Sequence, residues 1–313
     1  MKKVIIDTDP GIDDCAALFF ALAGGQLDVL MLTTVFGNST TDNTTRNALR
    51  ILEAADRTDI PVYRGASKPL LREPTLAPQV HGEDGMGDVL QGEPRLKATP
   101  GRAVDKIIEA VLRHEGDVDL LALGPLTNVA LAISIEPAVA KAVRSLVVMG
   151  GAVRTRGNVT PVATANLAND PEAAAIVYRS GAPIVQIGMD VCRPTLIADD
   201  LLDEIRDAGT PMTEMLTEVE PHITAYYRRA EGVSGGTHFN DLPATAYLVV
   251  PELFKTEHLP VRIETTGTLS YGQTVVDWRG RWGMAPNATV ALEVEARKLA
   301  ELFTQTLTNT PTR

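Results

Sequence analysis

Short, uninterrupted apolar runs alternate with amphipathic stretches over the first two thirds of the chain, and this alternation is the strongest constraint on its fold. The runs "KKVIID", "LDVLMLTTVFG", "PVYRG", "DLLALG", "RSLVVMGGA" and "APIVQIGMD" read as strands. Between them, "DCAALFFALAGG", "TTDNTTRNALRILEAA", "PLTNVALAISI" and "DPEAAAIVYRSG" read as helices. A further helix is expected in "TPGRAVDKIIEAVLRHEG", with Thr99 as N-cap, Pro100 at its first position, and Val104, Ile107, Ile108, Val111 and Leu112 on one face. Strands that are apolar throughout must be covered on both faces, which a parallel sheet between helical layers provides. The expected class is therefore α/β: an open, mostly parallel sheet flanked by helices, with a Rossmann-like core.

Beyond residue 195 the texture becomes helical, in "ADDLLDEIRDAG", "MTEMLTEVEPHITAYYRRAEG", "DLPATAYLVV" and the terminal "VALEVEARKLAELFTQTL". Two strand-like pieces, "LPVRIETTG" and "QTVVDW", lie between the last two helices. With no low-complexity linker and no repeat, residues 1–313 are read as one domain with a helical C-terminal portion. Residues 66–97, rich in Pro, Gly and charge, form a long excursion, and such loops often carry function.

A net charge of −11 without a lysine or arginine cluster argues against nucleic acid or an anionic membrane as partner. The two cysteines, Cys15 and Cys192, are far apart and lack metal-knuckle spacing, so neither a disulfide framework nor a zinc site is expected. "MKKVIIDTDPG" is too short in apolar residues for a signal peptide core, and no apolar run is long enough to span a bilayer. The expectation is a soluble protein of the reducing cytoplasm.

In open α/β sheets, ligands bind beyond the carboxyl ends of the strands. The first strand ends in "DTDPGIDD", four aspartates (Asp7, Asp9, Asp13 and Asp14) crowded into eight positions. Later strand ends carry "FGNSTTDN", "GPLTN" and "GGAVRTRGN", which bring Asn38 and Asn158 to the same edge, and "HFNDLPATAYL" adds Asp241 at an expected helix start. Carboxylates with amide and backbone oxygens suit a hard cation such as Ca²⁺ or Mg²⁺. Such an ion offsets the repulsion among the aspartates and lowers the pKa of a bound water, which a spare carboxylate then deprotonates. Read singly, these residues have ordinary explanations. Asp13 and Asp14 suit the first turn of a helix, Asp7 a solvated strand end, Asn38 and Asn158 turns, and His81 a solvated loop. Met149 suits the core, and Tyr226 with Tyr227 a helix face.

The ordered set "DTDPGIDD", "TTVFGN", "HGEDGMG", "LGPLTNVA", "VVMGGA", "NDPEAA", "NDLPATAYL" and "TVVDW" resembles the nucleoside hydrolases, the inosine–uridine-preferring nucleoside N-ribohydrolase family, over nearly the whole chain. The resemblance implies Ca²⁺-dependent cleavage of an N-glycosidic bond to a free base and ribose, in a homodimer or homotetramer. It implies Asp9, Asp14, Asp241 and the carbonyl of Leu123 as calcium ligands, Asp13 as general base, and Asp7 as support for the cluster. Asn38, Asn158 and Asn166 would hold ribose hydroxyls, with Met149 beneath the sugar and His81 towards the base. Two positions depart from the family pattern. Thr164-Ala165-Asn166 stands for Glu-Phe-Asn, which removes the glutamate that grips the ribose 5′ end. Asn240-Asp241 stands for His-Asp, replacing a histidine at the leaving base with a side chain that hydrogen-bonds but does not titrate. The metal half matches the family and the substrate half differs, so an atypical ribosyl substrate is expected. A calcium-dependent ribosyl-ligand binder without turnover is the alternative. A haloacid-dehalogenase-like phosphatase also begins with a strand and Asp-x-Asp. There, however, Pro10 and Gly11 after Asp9, and the Asp13–Asp14 pair, have no role.

Overall fold

A computed structural model describes residues 1–309. Twelve strands follow one another among the described residues: β1 (Lys2–Thr8), β2 (Leu27–Thr34), β3 (Val62–Arg64), β4 (Val118–Ala122), β5 (Ser145–Met149), β6 (Ile184–Ile187), β7 (Ile197–Ala198), β8 (Gly236–Thr237), β9 (Phe254–Leu259), β10 (Val261–Ile263), β11 (Thr274–Val276) and β12 (Ala288–Val294). Eight of them form the main sheet in the order β3-β2-β1-β4-β5-β6-β12-β9. All neighbours in it are parallel except β9, which closes the edge antiparallel to β12. The open, mostly parallel sheet expected from the apolar runs is the observed one. β4 and β5 are buried almost throughout, because helices cover both faces.

Two apolar clusters make up those covers. On one face, Ile12–Ala23, Pro211–Glu231, Leu242–Val249 and Ala296–Thr308 contribute Phe19, Leu216, Ile223, Leu242 and Phe303, joined by Phe239 from the loop before the third of them. On the other, Ala103–Arg113, Thr127–Ile135 and Pro171–Arg179 contribute Ile107, Val129 and Tyr178. The first helix is apolar nearly all round, and its residues from Ile12 to Leu22 are buried, so it lies wedged between the sheet and the C-terminal helices rather than on the surface.

Three details differ from the sequence reading. The terminal "VALEVEARKLAELFTQTL" is not one helix: its first part belongs to β12, and the helix starts at Ala296. Thr289, Val290 and Val294 are β-branched, and both β6 and β9 offer this segment backbone partners that outweigh a helical pattern. β9 itself, "FKTEHL", is exposed along its middle and carries no apolar run to betray it. The helix expected from Thr99 begins instead at Ala103, because Thr99 donates its N–H to Val62 O (2.7 Å) and Gly101 turns the chain at φ +129°.

The excursion of residues 66–97 holds only a short helix, Pro78–His81. It is pinned from below by Asp170, which accepts hydrogen bonds from Leu70 N (2.9 Å), Thr127 Oγ1 (2.6 Å) and Ala173 N (3.0 Å). Asn47 ties it from the side, donating to both Pro10 O (3.0 Å) and Asp84 O (2.8 Å). These anchors hold His81 over the end of β1. Among the described residues, no helix is long and apolar enough to cross a membrane.

Candidate active site

The strand order reverses between β1 and β4: the chain winds outward through β2 and β3 on one side and through β5 and β6 on the other. Loops leaving β1 and β4 therefore diverge and open a crevice at the carboxyl edge of the sheet. Asp9 lies just past the end of β1, Leu123 just past β4, and Asp13 and Asp14 in the first turn of the helix that follows β1. Asp241 enters from far along the chain as the cap residue of the helix Leu242–Val249.

Ordinary roles account for these carboxylates only in part: Asp13 and Asp14 do lie in the first turn of the helix, where Asp14 accepts from the N-cap Gly11 N. Asp7, read on its own as a solvated strand end, is fully buried, with Oδ1 accepting from Thr33 Oγ1 (2.6 Å) and Asn128 Nδ2 (2.8 Å). Asp14 uses both oxygens, accepting from Thr8 Oγ1 (2.5 Å), Gly11 N (2.9 Å) and Asn38 Nδ2 (2.8 Å). Asp9 accepts from Asn38 N through Oδ2 (2.8 Å), while its Oδ1 is buried without a hydrogen-bond partner, as is Asp13 Oδ1. Asp13, Asp14 and Asp241 each offer an oxygen within 4.8 Å of the others. The geometric trio thus includes Asp13, which the family resemblance casts as base, alongside two of the three aspartates it casts as ligands.

Glycines make this crowding feasible. A Cβ on Gly124 would stand 2.6 Å from Asp9 Oδ1, and one on Gly11 would stand 2.7 Å from Asn38 Nδ2 and 2.8 Å from His81 Nδ1.

Burial dominates the electrostatics. It raises Asp7 to about 7 against the hydrogen bonds of Thr33 and Asn128. It raises Asp13 to about 6, opposed by backbone N–H groups including that of Asn240, and Asp14 to about 6 with the Asp13 charge adding to it. Asp9 and Asp241 are pushed well above the usual carboxylate range, first by burial and then by their acidic neighbours. Burial lowers His81 to about 4, so its ring is neutral at physiological pH. Its Nδ1 accepts from Ile12 N (3.2 Å), which places the proton on Nε2, 3.9 Å from Asp13 Oδ1. A buried all-oxygen cluster with orphaned carboxylate atoms, its acids paired with no lysine or arginine among the described residues, fits a hard divalent cation as counter-charge.

Above the acids lies a cleft walled by Asn38, His81, Met149, Asn158, Asn166 and Asn240. Asn166 donates its amide to Leu123 O and to Met149 O (3.1 Å), and Asn158 Oδ1 accepts from Ala165 N (2.9 Å). Thr164 is not on that wall. It is fully buried, and its hydroxyl accepts from Gly151 N (2.9 Å) beneath the turn after β5, so the cleft is reached by Ala165 and Asn166 instead. Tyr226, Tyr227 and Glu231 do reach the cleft. In sequence the tyrosines suit a helix face, because Tyr227 falls in phase with the buried Leu216, Val219 and Ile223 and looks like core.

A Rossmann-like sheet with a buried oxygen-donor site at its switch point and amides across the cleft is the build of a metal-dependent N-glycosyl hydrolase. Residues 4–301 match the profile of the family described as inosine-uridine preferring nucleoside hydrolase, and the chain belongs to that family. The pyrimidine-specific ribonucleoside hydrolase RihA of Salmonella paratyphi B is 38% identical over 304 residues, 97% of each chain. A plant nucleoside hydrolase superposes with a TM-score of 0.94 at 35% identity, covering 98% of this chain and 99% of its own. The purine-preferring ribonucleoside hydrolase from Gardnerella vaginalis does so with 0.93 at 30% identity, covering 99% of each.

Proposed function

We propose that this nucleoside hydrolase is Ca²⁺-dependent and cleaves a ribonucleoside, or a related ribosyl compound, into base and ribose. The observation that carries the reading is the buried carboxylate cluster at the foot of the cleft, with Asp9 Oδ1 and Asp13 Oδ1 unpartnered. Asp9, Asp14, Asp241 and the Leu123 carbonyl would hold the ion. When bound, Ca²⁺ supplies Lewis acidity and offsets the acids' mutual repulsion. Asp13 reaches the cleft wall and, raised to about 6, is ionised yet basic near neutral pH, which suits a group that takes the proton of the attacking water. Asn38, Asn158 and Asn166 offer amides to ribose hydroxyls, with Met149 beneath the ring. The negative cluster favours the oxocarbenium-like charge that develops at the anomeric carbon. Asp7 holds β1 and β4 together from behind, its carbonyl accepting from Leu123 N (2.8 Å).

Substrate choice follows from the cleft's other end. Thr164 offers no carboxylate to a ribose 5′ hydroxyl, and the small Ala165 leaves space there, so tolerance of 5′-modified ribosides is expected. The relatives include pyrimidine-specific and purine-preferring enzymes, and both base classes belong in the test. The protein is assigned to the cytoplasm as a homodimer or homotetramer, which light scattering checks. A reducing-sugar assay over a ribonucleoside panel with Ca²⁺ should show release by the wild type and a loss of about 10³-fold or more in Asp13→Ala. Activity that survives Asp13→Ala removes Asp13 as base. Tight binding without release makes the protein a binder.

A further inference from the structure

The segment "NDPEAA" carries none of the chemistry, yet its polar side chains run one after another along the excursion of residues 66–97. Asp170 accepts from Leu70 N (2.9 Å), Glu172 takes the Arg72 guanidinium on both oxygens (3.1 and 2.8 Å), and Asn169 Oδ1 accepts from Thr75 N (2.9 Å). The ion pair is partly exposed and adds little, whereas Asn169 and Asp170 are buried. Asp170 meets three donors with two oxygens. Oδ1 caps the helix Pro171–Arg179 by accepting from Ala173 N (3.0 Å), and Oδ2 accepts from both Leu70 N and Thr127 Oγ1 (2.6 Å). An asparagine would cap the helix as well, but its NH2 would then face two donors. The acid serves the excursion rather than the helix.

Both ends of this tie reach amides assigned above to the ribose. Asn169 shares the short helix Ala165–Asn169 with Asn166, which stands on the cleft wall. Just past Thr75, Ala77 N donates to Asn38 O (3.2 Å), and Ala77 lines the cleft too. The far end of the excursion is held separately, by Asn47 on Asp84 O (2.8 Å) and by Ile12 N on His81 Nδ1 (3.2 Å). Freeing Leu70 and Thr75 therefore moves Asn38 against Asn166 and leaves His81 and the acids in place.

We propose that Asn169 and Asp170 are positioning residues for the ribose, which set the separation of Asn38 and Asn166 by latching residues 70–75 between them. The inference rests on the nucleoside hydrolase reading of the site. Contacts to the sugar are made alike before and during bond breaking, so loosening them weakens binding more than the chemical step. Because the latch acts through the sugar, its effect does not depend on the base.

The test compares Asp170→Asn and Asn169→Ala with wild type on uridine and inosine, well below the Tm of each variant. KM is expected to rise about tenfold or more in Asp170→Asn and about three- to tenfold in Asn169→Ala, with kcat within about threefold. The rise should be the same for both nucleosides. Hydrogen exchange at the Leu70 amide in Asp170→Asn, and at the Thr75 amide in Asn169→Ala, should quicken about fivefold or more. Asn169→Ala spares the helix cap and carries the test if Asp170→Asn does not fold. Faster exchange with an unchanged KM makes the pair a structural tie and overturns the proposal. So does a loss confined to kcat, or a KM rise on one nucleoside alone. A wild type that cleaves no ribonucleoside overturns the hydrolase reading instead, and the same loss in affinity for ribose, read by calorimetry, then decides the latch.

Discussion

Removing the divalent cation should expose the cost of the acidic cluster, and the sign and size of that cost follow from the site. Asp13 and Asp14 rise from 3.8 to about 6, and Asp7 from 3.8 to about 7, all through burial. The folded chain therefore holds these protons more tightly than the unfolded one. The stability they contribute is whole below about pH 4 and is lost as pH rises through 6 to 7. At ~1.4 kcal/mol per pH unit, Asp13 and Asp14 are each worth roughly 3 kcal/mol over that window. His81 works the other way. Lowered to about 4, it costs stability as pH falls from 6.5 and offsets roughly one carboxyl's share. Asp9 and Asp241 add to the loss in the same direction as Asp13, so the cation-free protein weakens from pH 5 to 7.5. Calcium, the ion proposed above, would take the ionised carboxylates and reverse this. At a thousandfold excess over Kd it stabilises by about 4 kcal/mol. With an unfolding entropy of ~2 cal/mol/K per residue, that raises Tm by about 6 °C in a chain of 313 residues. Scanning calorimetry with EDTA or Ca²⁺ at both pH values reads it directly, and the calcium shift should be smaller at pH 5, where protons compete. Equal Tm values with EDTA and Ca²⁺ at pH 7.5, or equal calcium shifts at both pH values, would refute the reasoning.

Two further perturbations separate space from charge. Gly124→Ala places a Cβ 2.6 Å from Asp9 Oδ1 and 2.8 Å from Val35 Cγ1, so it should displace the Asp9 carboxylate. Calcium affinity by titration calorimetry should then fall about tenfold or more, with ~1–3 kcal/mol lost in stability. Phe303→Ala empties the contact between the C-terminal helix and both Phe20 (6.2 Å) and Phe239 (6.0 Å). Denaturant unfolding should show a loss of about 3–5 kcal/mol, and a value below about 1 kcal/mol would remove Phe303 as the anchor of that helix.

The α/β class and the acidic edge were legible because both are written locally. A strand buried on two faces needs apolar residues in succession, and "DTDPGIDD" packs its charges within one turn and one cap. β9 and β12 were not legible, since an edge strand exposed at its centre and a segment recruited by two neighbours take their structure from pairing partners. Thr164 shows the same limit at the site: its place in the motif suggested the sugar, while its hydroxyl is occupied by Gly151.

By itself, then, the sequence determined the strand–helix alternation, the family, and the oxygen chemistry of the cluster, all of which depend on residue types at short spacing. Only the tertiary structure decided which acid oxygens are left unpartnered, that Thr164 lies outside the cleft, and that Tyr227 is held by Asn240 beside it. Those facts depend on burial and on contacts between segments distant in the chain, such as Asp13 with Asp241, and the reversal of strand order between β1 and β4 is what brings such segments to one crevice.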